Sequence, residues 1–280
     1  MAETAQGSYP STSMTGQRGL RANVRRLQLI RKTFSGWFLP TALLPLGKLL
    51  QMKPQAWRLA SPLERRTATI TTRKDRRRIT VPLLDSWPTF EVFAFAEYGS
   101  RFIRWESLRT VIDCGAHVGS FALWVSRNQD ARILCVEPNP SVFPLLQGNL
   151  LPLGDRARAW QLAVGGQAGM RTLHDQGFAA AASFERRSPR GQSFSVETIT
   201  LDDLLDRSDF STVDLLKMDI EGAEREVFDT VQPQTLRRIG AALVEWHPFA
   251  GTRVDDLREK LQQAGMRVEE APYMLIGWRP

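Results

Sequence analysis

A chain of 280 residues, 42% hydrophobic and 24% charged, has the makeup of a globular protein that buries one good core and carries an appendage. Its two cysteines, Cys114 and Cys135, lie inside apolar runs, which excludes a disulfide framework and fits a reducing compartment, so a cytoplasmic location is expected. The formal charge of +7 hides an asymmetry: residues 1–80 hold 16 of the 37 basic residues but only three of the 30 acidic ones, so the rest of the chain is net acidic.

Residues 1–18 are rich in Ser, Thr, Gly and Gln without an apolar period, a composition that cannot offset its ordering entropy, and disorder is expected there. From Leu20 to about Leu59 the pattern is helical in places, with Val24, Leu27 and Ile30 at steps of three, and is then broken by proline. The most apolar stretch, Trp37 to Leu50, is interrupted by Pro40, Pro45 and Lys48 and is too short to cross a bilayer. Arg25 and Arg26 precede no clean apolar core or cleavage site, so no secretion signal is read. Residues 1–60 form a basic arm, partly disordered or helical, whose charge suits an anionic membrane surface and peripheral attachment; the competing reading is a solvated tail. Nucleic acid is not an expected partner. Thr67–Thr72 and Arg78–Leu83 are alternating, β-branched runs around a charged turn, Arg73–Arg77, and read as a hairpin. With a helix over Glu91–Tyr98, residues 61–100 are expected to flank the main domain, residues 101–280.

That domain alternates strand and helix. Strands are expected at Thr110–Ile112, Ile133–Val136, Trp160–Val164, Val213–Met218, Ala241–Glu245, Arg267–Glu270 and Met274–Trp278. Helices are expected at Gly119–Arg127, Ser141–Leu150, Leu201–Leu205, Ala223–Val231 and Val254–Gln263. Short, almost wholly apolar strands suit a parallel sheet covered on both faces, which predicts a Rossmann-like α/β fold with a seven-stranded, mostly parallel sheet. Residues 165–200 lack this regularity and read as an inserted hairpin or substrate loop.

Asp113-Cys-Gly-Ala-His-Val-Gly119 is a strand end that turns into a helix. Gly115 and Gly119 let backbone approach a ligand at the carboxyl edge of the sheet. The turn lacks the full glycine array that wraps a pyrophosphate, which favours a cofactor without phosphates. Glu137 ends the next strand, where its two oxygens match the vicinal hydroxyls of a ribose. Asp113 is placed to hold the turn and neutralise an ammonium; its alternative is a helix cap, and that of Glu137 a solvated loop acid. His117, Pro138 and Ala163 complete the candidate cofactor wall.

Asp219 stands where Val213–Met218 leaves the sheet, and Glu245 and His247 end the following strand on one face, since residues i and i+2 share a side. These three are the candidate catalytic residues, with His247 as a base of near-neutral pKa. A divalent ion held by the same three is a second version, but the spacing is no metal signature and no metal is assigned. Lys217 is buried by position and is expected to pair with an acid or reach the cleft; His174 reads as a surface residue.

These pieces resemble the FkbM family of methyltransferases: Asp-x-Gly-Ala-x-x-Gly at 113–119, Glu-Pro-x-Pro from Glu137 with Asn149 downstream, Thr200-Leu-Asp-Asp-Leu204, Lys217-Met-Asp-Ile-Glu-Gly-Ala-Glu224 and Glu245-x-His247, with Tyr98 ahead of the first strand. The resemblance covers residues 90–250, and the family usually has Asn where His117 stands. It implies a class I methyltransferase fold and S-adenosylmethionine as donor. The implied acceptor is a small molecule or glycan, methylated at a hydroxyl of a saccharide, glycolipid or secondary metabolite. It also implies cofactor contacts at Asp113, Gly115 and Glu137, and Asp219 near the transferred methyl. Two other readings compete: a nicotinamide oxidoreductase, suggested by Glu137 as a ribose acid, and a non-catalytic, membrane-attached binding module, suggested by the basic arm.

Overall fold

Val111-Ile112 and Ile133-Leu-Cys-Val136 are apolar on both sides of the strand, so they are stable only at the centre of a sheet with layers above and below. The fold of this chain, a computed structural model, places them there. It describes residues 17–36, 66–83, 85–95, 98–175, 182–187, 191–248 and 251–280. The expectations for residues 1–16 and for the broken apolar stretch 37–50 lie outside the described residues.

The chain divides into two compact units, residues 1–95 and 96–280. In the first, helix α1 (Gln17–Thr33) runs into β1 (Phe34–Gly36), which pairs antiparallel with β2 (Thr67–Thr72), itself paired with β3 (Arg78–Pro82). The expected hairpin is thus two strands of a three-stranded sheet, with β2 at its centre and β1 and β3 at its edges. A short helix α2 (Trp87–Phe90) continues as a π-helical turn over Glu91–Phe95, so helical structure begins earlier than predicted, with Pro88 in its first turn, where the missing N–H costs nothing. Phe34 packs edge-on against Phe90 at 5.4 Å and Phe93 at 6.0 Å, a contact that β1 builds with α2 and the π-helical turn after it.

In the second unit the elements are β4 (Thr110–Cys114), α3 (Ser120–Val125), β5 (Arg132–Val136), α4 (Phe143–Leu150), β6 (Ala157–Trp160), β7 (Ala163–Val164), β8 (Gly169–His174), β9 (Ser193–Ile199), α5 (Leu201–Arg207), β10 (Val213–Met218), α6 (Glu224–Thr230), α7 (Pro233–Arg237), β11 (Ile239–Glu245), α8 (Val254–Gln263), β12 (Arg267–Ala271) and β13 (Met274–Trp278). The main sheet has seven strands in the order β12-β13-β11-β10-β4-β5-β6. Strands β11, β10, β4, β5 and β6 are parallel, and β13 joins antiparallel to both β11 and β12. Ile112, Leu134, Leu216, Met218 and Val244 form its buried core with Leu201, Leu204, Phe228 and Leu257 of the helices.

Two expectations need correction. The single strand predicted over Trp160–Val164 is two: β6 stops at Trp160 because its partner β5 stops at Val136, and Ala163–Val164 pairs instead with β9. The segment after Gly165 takes the hairpin alternative and is more regular than expected, since β8 and β9 form an antiparallel pair in a second small sheet. Helix α7, only five residues with proline at its start, is too short to show a period and was not predicted.

Candidate active site

The parallel ladder sets the site. Asp113 is in register with Cys135 on one side and Lys217 on the other, so the ends of β4, β5 and β10 lie side by side. Beyond β4 the turn leans over β5: Gly115 N and Ala116 N both donate to Val136 O, at 3.0 and 3.1 Å. Gly115 has φ +76°, and a Cβ there would stand 1.7 Å from Asp219 O, so only glycine lets the two strand ends approach this closely.

Glu137 closes the turn from the other side. Its Oε2 accepts from His117 N and its Oε1 from Asn139 N, both at 2.8 Å. Burial pushes its pKa up, while the backbone donors at Asn139 and His117 and the charge of Lys217 work against that. Each oxygen keeps a second lone pair for a ligand donor. His117 itself adopts φ +50° to direct its N–H to Glu137. Asn139 is fully buried, and its Nδ2 has no hydrogen-bond partner among the described residues, a donor left for something the protein does not supply. Sequence reasoning missed Asn139; its place two residues after Glu137 was the available signal. Asn149 holds the turn from α4 by donating to Val118 O at 2.9 Å. Pro138 is half-buried beside Glu137, Gly119 begins α3 with φ +84°, and Ala163 is buried in β7 opposite Thr198.

Lys217 is a buried cation between Asp113 and Asp219. Its Nζ donates to Gly115 O at 2.8 Å and lies 3.4 Å from Asp113 Oδ1 and 3.5 Å from Asp219 Oδ2, with its side chain 5% exposed. Burial alone would strip its proton, but Asp113 first, then Asp219 and Glu245, hold its pKa above the ordinary lysine value. Burial pushes the Asp113 carboxyl up, against the pull of Lys217. Tyr98 Oη sits between Asp219 Oδ2 at 3.5 Å and Glu245 Oε2 at 3.4 Å, within reach of a proton donated to either.

Asp219, Glu245 and His247 converge, with one ligand-capable atom from each within 4.8 Å of the others. His247 also belongs to a second set. Its Nδ1 is 3.0 Å from Glu224 Oε1, and its Nε2 is 3.6 Å from Glu221 Oε2. Glu224 is fully buried and accepts from Ile220 N at 3.0 Å and from Gly222 N, which ties down a turn in which Glu221 has φ +53° and Gly222 φ +106°. Burial opposes charging His247, yet Glu224, Glu221 and Asp219 outweigh it and push its pKa up to about 10. Burial likewise raises Glu221 to about 8, with His247 working against it. His174, expected at the surface, is buried: its Nδ1 lies 2.8 Å from Ser193 Oγ and its Nε2 accepts from Arg187 Nε at 3.1 Å. Ser183, across an isolated bridge from His174, donates to Glu221 O at 2.7 Å, tying the inserted segment to the acidic strand end.

A mostly parallel seven-stranded sheet, a glycine turn on its first strand and acids at the tips of the next define a Rossmann-like class I methyltransferase fold. Residues 113–268 match the methyltransferase FkbM domain, and the chain belongs to that family. It is 28% identical over 134 residues to the 2-O-methyltransferase NoeI of Sinorhizobium fredii, covering 42% of this chain and 55% of that one. It is 26% identical over 159 residues to the hexuronic acid methyltransferase AglP of Haloferax volcanii, covering 56% and 63%. The chain therefore spans less than two thirds of either relative. Among solved structures, the METTL16 methyltransferase domain is similar over 92% of this chain and 91% of that one, at 14% identity and a TM-score of 0.46. Family membership displaces the nicotinamide alternative. Among the described residues no helix is long and apolar enough to cross a membrane.

Proposed function

We propose that the chain transfers a methyl group from S-adenosylmethionine to a hydroxyl of a saccharide, glycolipid or secondary metabolite. The observation that carries this reading is the glycine turn bonded across β5, with the buried Glu137 carboxylate on one side and the Tyr98–Asp219–Glu245 cluster on the other. The names of the two relatives, one a 2-O-methyltransferase and one acting on a hexuronic acid, support a sugar hydroxyl as acceptor.

The residues suit the donor. Gly115 leaves bare backbone where a Cβ would intrude, Glu137 offers paired acceptors to a ribose, and Asn139 Nδ2, without a partner among the described residues, offers a donor beside it. When bound, S-adenosylmethionine supplies an electrophilic methyl group on a positively charged sulfur. The protein has then to align the acceptor oxygen, exclude water and remove its proton. Asp219 and Glu245 are the carboxylates placed to take that proton, and Tyr98 orients them. With Nδ1 on Glu224 and a pKa near 10, His247 keeps its proton at neutral pH, so its role is to brace the Glu221–Gly222 turn and lend charge to the acids. Lys217, His247 and the sulfonium supply the cations this acidic edge needs, and the reading is metal-free.

Titration calorimetry tests the donor. Glu137→Ala is expected to weaken S-adenosylmethionine binding by about 1.5–3 kcal/mol, the worth of charge-assisted hydrogen bonds. Binding unchanged in a folded variant removes Glu137 from the cofactor site. Radiolabelled donor with a panel of hydroxylated sugars tests the acceptor; label appearing only on nitrogen or carbon nucleophiles would refute the O-transfer.

The pH dependence of stability follows from His247. Its folded pKa, about 10, lies above the ordinary value, so its contribution is complete below about 6.5 and is lost as the pH rises toward 10. Glu221, also raised, moves stability in the same direction. The melting temperature of His247→Gln is expected to lie well below that of the unmodified chain at pH 6 and to converge on it by pH 10. A gap independent of pH contradicts the imidazolium assignment.

A further inference from the structure

Methyl transfer leaves the basic segment Arg73–Arg78 and the end of α1 unused, and the two meet in the first unit. Arg73 N donates to Thr33 O at 2.7 Å, and Arg73 Nε donates to Arg31 O at 3.0 Å and Phe34 O at 2.8 Å, so this residue stitches the hairpin turn to the last turn of the helix. Around that seam stand Arg31, Lys32, Lys74, Arg76 and Arg78, all exposed and none ion-paired among the described residues. The single acid of the turn, Asp75, is already engaged by Arg77 and Thr72. Helix α1 contains no acid from end to end. Arg76 has φ +57°, a conformation that favours glycine or asparagine, and yet the position carries a guanidinium.

The outer face of α1 continues the patch. Val24 and Arg31, and likewise Arg25 and Lys32, are seven residues apart and share a face, while Ile30 on the opposite side is fully buried. Val24 is 47% exposed, an apolar side chain beside a row of cations.

We propose that this seam, the exposed face of α1 with the tip of the β2–β3 hairpin, is a docking surface for the anionic face of a lipid bilayer. Clustered cations without counter-charges lower the energy of an approaching anionic surface, and each basic residue brought to such a leaflet strengthens partitioning about fivefold. An apolar side chain on the same face suits the headgroup boundary. Single-stranded nucleic acid fits less well, since residues 73–78 present no aromatic ring on which bases stack.

Co-sedimentation of the full chain with phosphatidylcholine vesicles, plain or doped with phosphatidylglycerol, tests the surface. The chain is expected to bind only the doped vesicles, with affinity falling as salt rises. The combined variant Arg31→Gln, Lys32→Gln, Lys74→Gln and Arg76→Gln is expected to lose several-hundredfold, on the order of fivefold for each residue, with its melting temperature and donor-binding heat unchanged. If that variant melts early, Arg76→Gly serves in its place, since it relieves the positive φ and is expected to weaken binding about fivefold without loss of stability. Equal binding to both vesicle types, binding to neither, or no effect of the substitutions overturns the proposal. Tighter binding to an oligonucleotide, lost on the same substitutions, also overturns it and reassigns the patch to nucleic acid.

Discussion

Asp219→Asn is expected to lower methyl turnover about a hundred- to ten-thousandfold while leaving S-adenosylmethionine affinity within about threefold. Asparagine keeps the size of the side chain and its reach to Tyr98 but can no longer take a proton. Asp219 is 24% exposed at its side chain, open enough to meet an acceptor, and it shares the Lys217 ammonium with Asp113, so its carboxylate is held in position before any acceptor arrives. The split between turnover and affinity separates a proton acceptor from a cofactor contact, because only the former acts on the reacting oxygen. Equal loss of both would make Asp219 a binding residue, and full activity would end its catalytic role. Glu245→Gln run alongside shows whether the two carboxylates share the task, since residues that act as a unit lose activity non-additively.

Gly115→Ala is expected to abolish donor binding and to cost about 3 kcal/mol or more of stability. The methyl group would stand 1.7 Å from Asp219 O and 2.8 Å from the carbonyl carbon, and both are backbone atoms held by the β4–β10 ladder, where Asp219 N donates to Cys114 O at 3.1 Å. No side chain can swing aside to relieve this contact. The positive φ adds strain of its own. Either the turn lifts off β5, breaking its bonds to Val136 O and the Glu137–His117 contact, or Asp219 is displaced; both outcomes remove the site. Denaturant unfolding and calorimetry on the same preparation read the two losses. A variant with unchanged stability and affinity would show that strand end to be far softer than its hydrogen bonds imply.

Much of this site is legible in the chain because strand ends in a parallel sheet carry local signals. An apolar run that stops at an acid and a glycine gives both the strand and its tip, and so Asp113, Glu137, Asp219 and Glu245 are assignable to one sheet edge from the sequence alone. The motif residues also identify the family on which the methyltransferase reading rests. The role of Lys217 was harder to read, since a lysine within an apolar strand is compatible with an ion pair or with a reach into the cleft. Its contact with the Gly115 carbonyl depends on strand order, which juxtaposes residues about a hundred positions apart. Tyr98 precedes the sheet by twelve residues, and nothing local directs its hydroxyl to Asp219 and Glu245.

The sequence by itself determined the alternation of strands and helices, the glycine turn, the acids at the strand tips and the concentration of positive charge before residue 80, because periodicity, turn chemistry and charge are properties of neighbours along the chain. Tertiary structure alone decided how those groups are paired. It gave Glu224 to His247, turning an expected base into a buried cation, and left the Asn139 side-chain Nδ2 without a partner among the described residues. It also brought the turn of a hairpin to the end of α1, some forty residues away. A pKa or a hydrogen-bond partner depends on what surrounds a group in space, and burial plus the strand order of the sheet fix those surroundings only once the whole domain has closed.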